Sequence, residues 1–249
     1  MNCAYLSLCA YKEKHEIQKE FPFANFISDD NATCFTLARD DVLYIVFRGT
    51  DSRKDILDDI NIIKVPMDLE NVDEHKRPKV HCGFLTQFRK LDKDIRLELK
   101  VHEDHDIVIT GHSLGGAMAS LASLAYAHLY PDRSIACRTY GSPRVGGKLF
   151  RKMFHEKIKD NQRYVNLDDP ITMLPSPWRF KHLSKLEYIN KKGQVIHHAP
   201  KDRVLRCLKE FLAYIFGKTS DSPLDDHSCE VYWKKLKCLQ EEANPLSSS

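Results

Sequence analysis

The segment Gly111-His112-Ser113-Leu114-Gly115 sets a serine between two glycines, each two residues away. A serine hydroxyl is a weak nucleophile at neutral pH and becomes useful only when exposed and beside a base. Flanking glycines permit a tight strand-to-helix turn that holds the serine in a strained backbone conformation. The five-residue pattern alone is weak, so its context matters. Asp106-Ile107-Val108-Ile109-Thr110 ahead of it reads as a short buried strand. Behind it, Leu114 to Leu129 carries alanines at 117, 119, 122, 125 and 127 and reads as a buried helix. Such a serine suits nucleophilic acyl transfer, with the main-chain N–H of Leu114 as one donor to the oxygen that becomes negative.

That chemistry also needs an acid and a histidine, which follow the serine in this order along chains with this turn. Asp168 and Asp169 both lie just past the apolar run ending at Leu167, and periodicity does not separate them. Four histidines come later: His182 in a basic, strand-like region, His197 and His198 shortly before Pro200, and His227 in a turn ahead of a helical segment. No spacing of histidine, cysteine or carboxylate suggests a metal, and no cofactor is expected.

The elements that must position these residues alternate between strand and helix. Thr33–Ala38 and the nearly continuous apolar run Val42–Phe47 read as strands, the second covered on both faces. A helix is expected over Gly83–Lys100, strands over Ile135–Tyr140 and Arg163–Leu167, and a basic helix near Lys148–Ile158 between them. A strand or hairpin over Leu186–His197 and helices over Asp202–Phe216 and Cys229–Leu239 complete the pattern. This alternation predicts an α/β fold, one domain over residues 1–249 with a mostly parallel sheet covered on both faces and a disordered tail over 241–249. In the Asp202–Phe216 helix, Val204, Leu208, Phe211, Leu212 and Ile215 form a wide apolar face. Core packing is the favoured reading of that face, and contact with an acyl groove or a membrane is the rival.

A formal charge of +3 over 249 residues is too small to argue for nucleic acid as a partner, although weak attraction to an anionic membrane is allowed. No run approaches the roughly 20 apolar residues of a membrane span. The apolar run Ala4–Ala10 has no basic residue before it, which makes a poor signal peptide. The eight cysteines show no C-x-x-C spacing and read as free thiols. The chain is therefore expected to be cytoplasmic as synthesised, with export by a non-cleaved route left open.

Six ordered blocks between about residues 33 and 235 resemble the class 3 lipase family. Gly111–Ala117 is similar to its nucleophile turn, Phe47-Arg48-Gly49-Thr50 to its oxyanion loop, and Val80-His81-Cys82-Gly83-Phe84 to its H-x-G-F segment. Thr139–Gly146 resembles the strand and turn after the nucleophile. Val165-Asn166 through Asp169 to Leu174-Pro175 resembles the segment with the acid, and Asp226-His227 with Glu230 and Tyr232 the one with the base.

The resemblance implies an α/β-hydrolase fold and a triad of Ser113, Asp169 and His227. Asp168 is then a solvated neighbour, and His112 and His81 are packing or supporting residues. It also implies an oxyanion hole from the N–H groups of Thr50 and Leu114. The implied activity is carboxylester hydrolysis on lipid esters, as a triacylglycerol lipase or phospholipase A1-like enzyme. Such an enzyme makes peripheral contact with a lipid interface. A small-ester hydrolase or thioesterase, and a silent lipase-like interaction module, are the alternatives. Asp51 to Ile60 resembles the start of the family's lid, but has Ile56 where many relatives carry tryptophan. A moving lid and a helix packed permanently on the core both remain open there.

Overall fold

The computed structural model describes residues 1–50, 63–183, 185–215 and 224–243, without the side chains of 210–215 and 240–243. The expected lid, 51–60, lies outside the described residues.

The chain opens with helices α1 (Cys3–Cys9) and α2 (Lys14–Glu20). Strands β1 (Asn25–Asp29), β2 (Ala32–Arg39) and β3 (Val42–Phe47) follow. A small antiparallel pair, β4 (Lys64–Pro66) and β5 (Lys79–His81), leads into helix α3 (Cys82–Val101). The alternating part then runs β6 (Asp106–His112), α4 (Leu114–Leu129), β7 (Ile135–Tyr140), α5 (Lys148–Lys157) and β8 (Asp160–Asn166). It ends with β9 (Lys185–Ile189), β10 (Val195–Ile196), α6 (Arg203–Ile215) and α7 (Cys229–Ala243).

Among the described residues the main sheet has eight strands, in the order β1-β2-β3-β6-β7-β8-β9-β10. Pairing is parallel from β3 through β9 and antiparallel at both edges. The carboxyl ends of β3, β6, β7 and β8 therefore share one edge, and that edge carries the site.

Helices cover both faces because the central strands are apolar on both. Leu43, Ile45 and Phe47 join the larger core with α3 and α4, whereas Tyr44 and Val46 join a second core with Leu6 and Cys9 of α1. In α3, Leu85, Phe88, Leu91, Ile95 and Leu99 fall on one helical face and are buried. Helix α4 is enclosed almost all round, which its alanines and glycines permit by letting neighbours approach closely.

The run Ala4–Ala10 is explained here as well. Asn2 caps α1, its side chain accepting from Ala4 N at 2.9 Å and Tyr5 N at 3.1 Å. Ser7 meets Thr110 of β6 at 3.0 Å in the interior. Its apolar composition thus serves packing.

Helix α7 continues through Ala243, into the segment expected to be a tail; residues 244–249 lie outside the described residues. Of the apolar face expected on α6, Val204 is 57% and Leu208 51% exposed, and the side chains of Phe211, Leu212 and Ile215 lie outside the described residues. Among the described side chains of α6, Arg203 and Cys207 are buried. They are held by hydrogen bonds from Arg203 Nε to the Leu167 carbonyl (2.7 Å) and from Cys207 Sγ to the Asp168 carbonyl (2.9 Å). The polar face docks because the loop after β8 offers carbonyls and a carboxylate that need partners.

Candidate active site

The turn between β6 and α4 holds Ser113 at φ 57° and ψ −124°, a region that a non-glycine residue enters only at a cost of about 1–3 kcal/mol. The neighbouring glycines make the turn possible. A Cβ on Gly111 would stand 2.4 Å from the Gly115 carbonyl carbon, and one on Gly115 would stand 2.3 Å from the Phe47 carbonyl oxygen. The second contact also shows that the end of β3, which runs on to Thr50, packs directly on the turn. Leu114 opens α4, so its N–H is one of the helix's unpaired first-turn donors beside Ser113.

Ser113 Oγ lies 2.8 Å from His227 Nε2, and His227 Nδ1 lies 2.9 Å from Asp169 Oδ2. All three are buried, with Asp169 fully enclosed. A carboxylate can only accept, so Nδ1 carries the proton and Nε2 is the acceptor facing the serine hydroxyl. Asp169 also accepts at Oδ2 from the Tyr232 hydroxyl (2.7 Å) and at Oδ1 from Ile171 N (3.0 Å). The Tyr232 oxygen in turn accepts from Asn166 N at 2.8 Å. Three hydrogen bonds therefore hold the Asp169 carboxylate in one orientation. Gly141, at φ 60°, leaves room for the pair, since a Cβ there would stand 2.9 Å from Asp169 Oδ2 and 3.0 Å from the His227 ring.

Asp168 is not a solvated neighbour, and that expectation is corrected. It is 6% exposed and turned away from His227, with both oxygens on Arg206 of α6 at 2.9 Å. The turn at Leu167, φ 39°, sends the two adjacent aspartates to opposite partners.

His182 and His197 stand apart from the serine. His182 is crowded by Arg163, Arg144 and Arg203, and His197 meets Glu187 at 3.2 Å. His81 caps α3 and stacks on Phe84 with ring centroids 4.0 Å apart.

His112 supports the base. Its Nε2 is 2.6 Å from the His227 main-chain oxygen, and its Nδ1 is 2.7 Å from the Tyr11 hydroxyl. Because a carbonyl only accepts, Nε2 carries the proton and Nδ1 accepts from Tyr11. Tyr11 could not be found from the sequence, because it reaches the site from beyond α1 and belongs to no motif. Removing its hydroxyl leaves a buried ring nitrogen without its donor and loosens the histidine that holds His227. Tyr11→Phe is expected to lower kcat about tenfold, with KM nearly unchanged, at a cost of about 1–2 kcal/mol. Steady-state kinetics test this, and a kcat within twofold of wild type would remove the role.

Burial first, and then the His227 ring, hold His112 well below the usual histidine range. Burial and the charges of Arg163 and Arg144 do the same to His182. Unfolding releases both to about 6.5, so below that pH the unfolded chain binds more protons than the folded one. Stability is full above about pH 6.5 and falls as pH drops, by up to about 1.4 kcal/mol per unit for each histidine. Melting temperatures between pH 7.5 and 5 should decline accordingly; a flat profile would contradict the assignment.

Residues 44–178 match the family described as "Lipase (class 3)". The chain belongs to the class 3 lipase family. This family member is 29% identical over 160 residues to a lipase of Rhizopus niveus, which covers 61% of the chain and 40% of that relative. It is 30% identical over 178 residues to the chloroplastic phospholipase A1-Igamma2 of Arabidopsis thaliana, covering 60% of the chain and 33% of the relative. The chain thus spans well under half the length of these curated relatives. Among solved structures, lipase II from Rhizopus niveus superposes with a TM-score of 0.64 at 27% identity, covering 80% of this chain and 84% of that one.

These matches overturn the expectation of a cytoplasmic protein. Two of the fungal relatives are named as secreted lipases, which counts against that expectation. The secreted mono- and diacylglycerol lipase 1 of Fusarium solani is among them, 35% identical over 101 residues, or 39% of this chain and 29% of that relative.

Proposed function

We propose that this class 3 lipase family member is a serine carboxylester hydrolase acting on lipid esters, as a triacylglycerol lipase or phospholipase A1-like enzyme. The observation that carries the reading is the hydrogen-bonded series Ser113, His227, Asp169 at 2.8 Å and 2.9 Å, hung from a strained turn. The names of the matched relatives supply the substrate class.

In this reading Ser113 Oγ attacks the ester carbonyl while its proton passes to His227 Nε2. Asp169 keeps Nδ1 protonated and stabilises the imidazolium. The main-chain N–H groups of Leu114 and Thr50 take the developing oxyanion, each donor worth about 3 kcal/mol. His227 then protonates the leaving alcohol, and water drawn through the same base releases the acyl group from Ser113.

The test is hydrolysis of short- and long-chain p-nitrophenyl esters, alongside labelling by a fluorophosphonate. Labelling at Ser113, with aggregated long-chain ester preferred over monomeric short-chain ester, is the expected result. Preference for the short ester would favour a small-ester hydrolase or thioesterase. Neither labelling nor turnover would indicate a silent lipase-like module.

A further inference from the structure

We infer that α5 and the loop preceding β9 form a docking surface for an anionic phospholipid membrane; this rests on the lipid-ester reading above. Lys148, Arg151, Lys152 and His155 recur at the spacing of one helical face. Together with Lys181 they line a surface cavity of about 420 Å³, and no acidic side chain is among its lining. Glu156 is the acidic group on the same helix, and it stands 3.9 Å from Lys152 on an exposed flank.

More positive charge adjoins this face. Lys64 donates to the main-chain carbonyl of Arg179 and stands 4.8 Å over the Phe180 ring. Like charges gathered this way repel one another, and an anionic surface opposite them relieves that cost.

Exposed apolar side chains stand beside this face, Leu149 on the same flank of the helix as Glu156 and Trp178 in the adjoining loop. Trp178 is 90% exposed and Leu149 is 42% exposed. Trp178 lies between Pro177 and Arg179 in the loop, and Leu149 follows Lys148 on the helix. The two segments are joined, because Lys181 N donates to the Gly146 carbonyl at 2.8 Å, just ahead of α5. Indole at headgroup depth beside lysine and arginine is the composition of a membrane interface.

Position completes the case. The turn before α5 leaves the carboxyl end of β7, and the loop with Trp178 follows the carboxyl end of β8 and Asp169. The amino-terminal end of α5 therefore starts from the sheet edge that carries Ser113.

The experiment uses the full chain as Ser113→Ala, so that no lipid is consumed, with vesicles of phosphatidylcholine alone or mixed with phosphatidylserine. Binding measured by sedimentation should require phosphatidylserine and weaken as salt rises. Adding Lys148→Gln and Lys152→Gln should lower the partition coefficient about 30-fold, at roughly a kilocalorie per mole for each charge. Trp178→Ala should lower it several-fold even in high salt. Equal binding to both vesicle types, or an unaffected double variant with an unchanged melting temperature, would overturn the proposal. Tighter retention of a single-stranded oligonucleotide than of anionic vesicles would also overturn it. In the Ser113-containing enzyme, Lys148→Gln with Lys152→Gln should leave hydrolysis of a monomeric short-chain ester unchanged. Vesicle binding without any esterase activity would sink the hydrolase reading and keep the surface, and the opposite outcome would do the reverse.

Discussion

Ser113→Ala is expected to lose about a millionfold in kcat, and adding His227→Ala to it should cost almost nothing further. The two side chains form one proton-transfer unit across 2.8 Å, so removing either member disables the other. A hydroxyl without a base stays protonated, and a base without a hydroxyl has nothing to activate. The residual rate comes from the oxyanion donors and from binding alone. Turnover of a p-nitrophenyl ester by the two single variants and the double variant, after active-site titration of the wild type, measures the coupling. Losses that multiply in the double variant would mean that His227 does not serve Ser113. Retained activity in Ser113→Ala would move the nucleophile elsewhere.

Asp169→Asn should cost about 10⁴ in kcat, whereas Asp168→Asn should leave kcat within a few-fold. An asparagine at 169 can present its amide N–H to Nδ1, which favours the tautomer with the proton on Nε2. The ring then offers a donor to Ser113 where an acceptor is needed. Ile171 N keeps its acceptor at the remaining oxygen, whereas the Tyr232 hydroxyl, which donates to the atom facing His227, loses its acceptor, so a lower melting temperature should accompany the loss in kcat. Asp168 contributes to the anchorage of α6 through both nitrogens that Arg206 sets on it. Its replacement should cost about 1–3 kcal/mol of stability, read as a lower melting temperature, with the chemistry intact. Which of the two adjacent aspartates carries the kcat loss is the decisive outcome. If Asp168→Asn is the one that loses kcat, the acid has been assigned to the wrong residue.

Much of the frame could be read from the sequence. Val42–Phe47, Leu114–Leu129 and Ile135–Tyr140 begin and end in the structure where their apolar patterns begin and end. Each is enclosed by its neighbours, so composition and local period carry the full signal. Strand β1 and the β4–β5 pair were missed because they are short, and alternation over three to five residues is a weak pattern. Helix α6 misled in the other direction. Val204 and Leu208 of its stripe are exposed, while Arg203, Arg206 and Cys207 meet the carbonyls and carboxylate after β8.

The sequence by itself determined the α/β alternation, the strained serine turn and the order of serine, acid and base. These depend on glycine's missing Cβ, on apolar periodicity and on chain order, all of which are local. Local periodicity left the two adjacent aspartates equivalent, the family resemblance favoured Asp169, and the folded chain sets Asp169 against His227. It also recruited Tyr11 to His112 across 101 residues and Tyr232 to Asp169 across 63. Those choices come from pairing buried donors with acceptors, and no local spacing encodes which partners the folded chain brings within reach.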